Sequence, residues 1–361
     1  MSNDSSIGRR QRRLCAAVVA LAVMAVAARS QAVPASASAG TSYAVVDLGT
    51  LGGGTSQATG INHPGVISGS AATSSGATHA VLWQDGEIAD LGTLGGTFGV
   101  AIDVNPRGQA VGVSTNASGV NRAFLWEDGT ISDLGTLGGP IGRANRINAH
   151  GEIVGFSTTA TGAIHATHWY RGSVTNLGTF GGAFSLAAGI NDAGEIVGAA
   201  TYPDGLERAA LWAHGGILDL GALAPAYPDS RAIRINDLGQ IVGWAATAPG
   251  SVEVIIGETH AVLWVDGIVV DVGTLGGATS RAYGLNNRTQ VVGTARTTAG
   301  AEHAFLWQEG SMVDLNDLIP ADSGWTLMTA FGIDQRGAIV GLGNHNGQRR
   351  AFLLTPSTEA E

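Results

Sequence analysis

The chain has 361 residues, of which 55 are Gly, only 13 % are charged, and the formal net charge is −10. All 19 basic residues are Arg, so the balance argues against nucleic acid as a partner, which needs a basic footprint. Gly and Pro together stay below the share that marks disorder, and the hydrophobic fraction of 44 % is enough for a core, so the composition reads as a folded, turn-dense protein. It excludes a coiled coil, a basic DNA-binding module and a disulfide-stapled miniprotein.

Arg9, Arg10, Arg12 and Arg13 precede an apolar run over residues 14–28, and Ser30-Gln31-Ala32 has the small-x-small pattern of a cleavage site. This reads as a signal peptide over 1–32, too short for a comfortable bilayer span. Its removal takes away Cys15, the only cysteine, and leaves 14 Arg against 28 acids, a charge of −14. The mature chain then has no disulfide, no thiolate nucleophile and no Cys metal site. Residues 33–41 read as a flexible linker and 357–361 as a disordered tail. No second apolar segment follows, so the mature protein is expected in the periplasm or outside the cell, without a membrane span and as a monomer.

Between these lies one repeat. A signature like Asp-Leu-Gly begins at Asp47, Asp90, Asp133, Asn176, Asp219, Asp271 and Asp314, with spacings of 43 except for one of 52. A second, apolar-Asn-x-x-Gly, has its Asn at 62, 105, 148, 191, 236 and 286, with Asp334 in the last copy. A third, Ala-apolar-Leu-Trp, ends at Trp83, Trp126, Trp212, Trp264 and Trp307, with degenerate copies at Trp169 and Leu354.

Each repeat reads as four short strands; in the first complete copy they are residues 58–61, 66–70, 79–83 and 88–91. Asn62-His63-Pro64-Gly65 has the chemistry of a type I turn, Asp85-Gly86 that of a tight hairpin, and the Gly-Gly pairs are placed between strands. Four strands in 43 residues is the blade size of a β-propeller. The chain enters with an isolated fourth strand (43–48) and ends with strands one to three (330–354). The fold predicted is therefore all-β: a seven-bladed β-propeller over 42–356, four antiparallel strands per blade, closed where the N-terminal strand completes the last blade, with Val45 beside Phe352.

The hairpin register puts His79 diagonal to Asp90. Equivalent pairs are Arg122 with Asp133, His165 with Asn176, Arg208 with Asp219, His260 with Asp271, His303 with Asp314 and Arg350 with Asp47. Sevenfold recurrence favours a structural charge-assisted hydrogen bond over a metal or proton site. No His cluster has metal-ligand spacing, and no cofactor is expected.

His303-Ala304-Phe305 followed by Leu306-Trp307, with the Asp-Leu-Gly-Thr-Leu-Gly-Gly runs, resembles the HAF-repeat family of extracellular repeat proteins. The resemblance spans about residues 43–355 and implies export and repetition; it implies no reaction and no catalytic residue. Copies with Arg122, Arg208, Thr167 or Ala210 depart from the tripeptide.

Function is expected where repeats differ. The spacing expands at residues 224–229, 246–258 and 319–325, all on the rim that carries the longer connections, which brings Tyr227 and Trp325 forward. Five Arg fall on the predicted innermost strands: Arg143, Arg146, Arg231, Arg234 and Arg281, beside Gln57 and a single acid, Asp103. That concentration of cations towards the axis of an acidic protein predicts a binding module for an anionic, carboxylate-bearing ligand such as an extracellular glycan. The rival class is a polysaccharide hydrolase or lyase, for which Asp103, Asp229, Glu253 and Glu258 are the candidate acids.

Overall fold

The computed structural model describes residues 42–248 and 258–357. The expected signal peptide, linker and residues 358–361 lie outside the described residues, as does most of the 246–258 expansion with Glu253. Ser357 belongs to the last strand rather than to a tail.

The described chain is all β, with strands numbered β1 to β28 in chain order and one short 3-10 helix at Leu315–Leu318. The first repeat unit is β2 (Gly52–Ile61), β3 (Ile67–Thr73), β4 (Thr78–Gln84) and β5 (Glu87–Gly92), all antiparallel neighbours. The pattern recurs as five four-stranded sheets and one eight-stranded sheet, where the first unit meets β6 (Gly95–Val104) through the single parallel pair Thr78–Phe98. The hairpin turns match their sequence: Asp85 at φ 52° and Gly86 at φ 83° both occupy the left-handed region that type I′ turns require.

The N-terminal strand β1 (Ser42–Asp47) pairs antiparallel with the C-terminal β28 (Gln348–Ser357). The register is two residues from the one predicted: Val45 faces Leu354, and Asp47 faces Phe352. Buried apolar clusters lie between successive sheets. One of them packs Val340 and Ala351 of the sheet containing β28 against Ala58, Ile67, Val81 and Trp83 of the first unit. A four-stranded sheet with two apolar faces is thus covered on both sides.

The first strand of each unit is longer than predicted. Gly52 and Gly53 lie inside β2, where a Cβ at Gly53 would stand 2.6 Å from the Ala72 Cβ and 2.7 Å from the Thr73 carbonyl, so the close approach of β3 explains the Gly there. The strand also carries a β-bulge between Ala58 and Gly60, and the same interruption occurs in the first strand of every unit. Opposite each bulge stands a Gly of the second strand. At Gly155 a Cβ would overlap the Arg143 carbonyl oxygen, so no larger residue fits there.

The recurring Asn closes its own turn and links units. In the first copy Oδ1 accepts from the Val66 amide at 2.8 Å, while Nδ2 donates to the Asn105 carbonyl of the next unit at 2.8 Å. The chain of links continues through Asn105, Asn148, Asn191 and Asn236, and from Asn286 to the Asp334 carbonyl at 3.0 Å. Asp334 has no amide with which to donate onward.

The outer-strand pairs hold in five of the predicted places. His79–Asp90 and His260–Asp271 meet at 2.9 Å, Arg122–Asp133 at 2.7 Å, His165–Asn176 at 2.8 Å and His303–Asp314 at 2.5 Å. The acid also accepts from the Gly amide two residues on, as Asp90 does from Gly92 at 2.8 Å, which explains the Asp-Leu-Gly spacing as an Asx turn. Two predicted pairs do not form as stated. Arg208 turns to Asp204 (3.5 Å) and stacks over Tyr202, leaving Asp219 to its Gly221 amide. Asp47 takes His345 at 3.0 Å, with Arg350 standing off at 3.9 Å. The short hairpin between β27 (Ile339–His345) and β28 brings that His within reach.

Candidate functional site

The bulges build the site. Strict alternation would put residues 143 and 146, three apart, on opposite faces of their strand, β10 (Gly138–Ile147). The extra residue Asn145 restores both to one face, while Ala144 remains fully buried between sheets. The bulged residues themselves are Thr59, Ile102, Asn145, Ala188, Ile233, Tyr283 and Phe331, and all of them line one cavity of about 680 Å³. Two are tied to the neighbouring unit: Thr59 donates to the Ala101 carbonyl at 2.6 Å and Asn145 to the Ala187 carbonyl at 2.8 Å. We call this the axial cavity, since first strands from every unit contribute to it.

Gln57, Arg143, Arg146 and Arg231 reach the axial cavity, as the sequence led us to expect; no Asp or Glu among the described residues lines it. Arg143 faces the opening, where its Nε donates to Asn145 Oδ1 at 3.0 Å and the surrounding walls lower its pKa by desolvation. Arg146 is nine-tenths buried. Its Nη1 donates to the Asn145 carbonyl at 2.6 Å, but its Nε is buried without a partner. Burial first, then the charge of Arg234, push its pKa down to about 9 against the opposing pull of Asp103. A guanidinium in that condition remains protonated at neutral pH; it also lines the opposite mouth, where Asp103 lies, but forms no ion pair among the described residues.

The other predicted residues are differently employed. Arg231 forms a two-pronged ion pair with Glu207, both contacts 2.6 Å, so its charge is already matched. Arg234 and Asp103 stand 3.7 Å apart at the opposite mouth, and the Ile147 amide donates to Asp103 at 3.1 Å. Arg281 lies in an adjoining cavity and stacks over Trp244, its Cζ 5.6 Å from the ring centre. Trp325 lines neither cavity: it stacks on His345 at 4.4 Å and meets Phe352 edge-on. Tyr227 closes a local turn on the Ala224 carbonyl at 3.0 Å and lines neither cavity. Among the candidate acids, Asp229 accepts from the Glu207 amide at 3.1 Å, and neither it nor Asp103 and Glu258 lines the axial cavity.

Sequence reasoning missed Tyr283, Phe331 and Asn145. They fall at the bulge, a position that neither a period of two nor the repeat signatures single out. A column-by-column reading of the innermost strands would have shown Tyr283 and Phe331 where other copies carry Thr59, Ile102 or Ala188.

No family model matches the chain, and no curated protein matches it. Among solved structures, the β-propeller domain of the Trilobed protease from Pyrococcus furiosus, described as having an open velcro topology, is similar at 11 % identity. That match covers 85 % of this chain and 100 % of the domain, with a TM-score of 0.52. An acylaminoacyl peptidase of Pyrococcus horikoshii follows at 15 % identity and a TM-score of 0.49, covering 82 % of this chain and 52 % of that one, so this chain spans about half its length. The lectin of Aleuria aurantia, solved with Fucalpha1-6GlcNAc, is 13 % identical over 78 % of this chain and 97 % of that one, with a TM-score of 0.41. The first likeness, with the repeated four-stranded antiparallel sheets, establishes a β-propeller fold; at that identity it speaks of fold alone. No helix among the described residues is long and apolar enough to cross a membrane.

Proposed function

We propose that the chain is an exported, HAF-like repeat protein that folds as a seven-bladed propeller and binds a carboxylate-bearing sugar in its axial cavity. The blade count is supported by the grouping of strands into units of four and by the packing of the last unit on the first. The pairing of β1 with β28, which gives the last unit its fourth strand, supports closure of the ring at that seam. Export rests on the arginines and apolar run of residues 1–32, and a mature N-terminus at Val33, read by mass spectrometry of secreted protein, is the expected outcome.

One observation carries the ligand: a nine-tenths buried Arg146 whose Nε has no partner among the described residues, in a cavity whose described lining holds a second cation, Arg143, and no acid. A carboxylate fills that deficit, since guanidinium and carboxylate match in a planar, two-bond contact. Gln57, Thr59 and Asn121 offer amide and hydroxyl groups to sugar hydroxyls, and Tyr283 with Phe331 offers aromatic surface. A binding module needs no more than this. A polysaccharide hydrolase needs converging acids, and none of the described residues that line the cavity is an Asp or Glu.

Calorimetric titration with galacturonate and with galactose tests the reading. Galacturonate is expected to bind and galactose not, and Arg143→Ala is expected to weaken galacturonate by about tenfold or more, the worth of one charge-assisted hydrogen bond. Equal binding of the two sugars, or unchanged binding by Arg143→Ala, would overturn it.

A further inference from the structure

A second cavity of about 530 Å³ adjoins the first. It lies between β22 (Gly276–Leu285) and β26 (Trp325–Ile333) and extends outward to Arg296 on β23 (Val291–Thr297) and Glu302 on β24 (Glu302–Gln308). Tyr283 and Phe331 line both cavities, their rings 5.4 Å apart and tilted by 42°. The two spaces are therefore halves of one trough bent around an aromatic pair. Its outer half carries Arg281 and Arg296, neither of which forms an ion pair among the described residues. Arg281 is held in place by Trp244, whose ring is shared with Arg231 at 5.7 Å.

The axial cavity alone matches the ~300–1,000 Å³ that a small ligand occupies. A single carboxylate would leave the outer half, with its two cations, unused. Cations on both sides of an aromatic wall fit a polymer that repeats a carboxylate and presents a ring face between charges. We infer that the trough holds an acidic oligosaccharide across two subsites, one axial at Arg143 and Arg146, the other radial at Arg281 and Arg296. This rests on the axial reading above and extends it from a single anionic sugar to a chain of them. Glu302, opposite Arg296 in the strand register, is the acid in the outer half, and it opposes the ligand's charge.

The experiment is calorimetric titration of the intact protein with galacturonate, tetragalacturonate and neutral maltotetraose. Tetragalacturonate is expected to bind about tenfold tighter than galacturonate, the gain of one further charge-assisted contact. Arg296 is exposed, so Arg296→Ala is expected to fold normally, to erase that gain and to leave galacturonate unchanged. Glu302→Gln is expected to tighten tetragalacturonate alone. Equal affinity of wild type for galacturonate and tetragalacturonate, or indifference of tetragalacturonate to Arg296→Ala, overturns the radial subsite and leaves the axial one standing. Tight binding of maltotetraose overturns the acidic class. Failure of galacturonate itself to bind removes the axial reading and the extension with it.

Discussion

Replacing Arg146 by Met is expected to make the unliganded protein more stable and to disable its binding. Burial and neighbouring cations hold the Arg146 pKa at about 9, well below the ordinary arginine range. At about 1.36 kcal/mol per pKa unit, a depression of that kind costs several kcal/mol for keeping the charge in place. Local relaxation lowers the figure, and the lost bond from Nη1 to the Asn145 carbonyl subtracts ~1 kcal/mol. Met keeps an unbranched stem of similar volume. Asp103 retains the Ile147 amide and Arg234, so no naked carboxylate is left behind. The expected net gain is about 1–3 kcal/mol, seen as a higher urea midpoint with an unchanged slope. The sign with pH follows from proton counting. From about pH 9 up to the ordinary arginine range the unfolded chain binds more protons at this residue than the folded one, so wild-type stability rises with pH there and the Met variant lacks the rise. A carboxylate sugar at a hundredfold excess over its Kd should add ~2.7 kcal/mol to the wild type and much less to the variant. A variant less stable than wild type at neutral pH, or one stabilised as fully by galacturonate, would refute the assignment of Arg146 as an unmatched buried cation.

Two further substitutions test the scaffold that holds it. Gly155→Ala is expected to lose ~2–3 kcal/mol in urea unfolding, because its Cβ would overlap the Arg143 carbonyl and approach the Ala144 Cα within 3.0 Å, neither of which can give way; Gly54→Ala, whose Cβ meets nothing within 4 Å, is the control expected to lie within ~0.5 kcal/mol of wild type. Asp334→Asn is expected to gain ~0.5–1.5 kcal/mol by supplying the donor that would carry the Asn links on to the Asn62 carbonyl; no gain in thermal unfolding would mean that the last and first turns are not neighbours.

What the sequence could and could not show divides at the β-bulge. Period-two alternation and the Asp-Gly turns fixed the hairpins to the residue, since Trp83 faces Ile88 and Val81 faces Asp90 as predicted. The pairing of head with tail was legible because a strand without a partner at one end answered a unit lacking a strand at the other; its register was not, because nothing in residues 42–47 distinguishes a shift of two, which preserves which side chains face in. The long innermost strands were hidden for another reason. Gly pairs read as punctuation by propensity, but in β2, β6, β10 and β22 they lie inside the strand, where the neighbouring strand approaches too closely for a Cβ. Arg143 and Arg146 were found through charge, a property that survives errors of geometry. Their availability was not legible: whether a guanidinium meets a Glu207, as Arg231 does, depends on residues far apart in the chain. Asn145, Tyr283 and Phe331 stayed invisible because a bulge inserts one residue without changing the repeat length. That one insertion per unit turns the strand face, leaves an unpaired residue over the cavity, and requires the facing Gly. A pattern found first as a periodic glycine is therefore the trace of the device that builds the site.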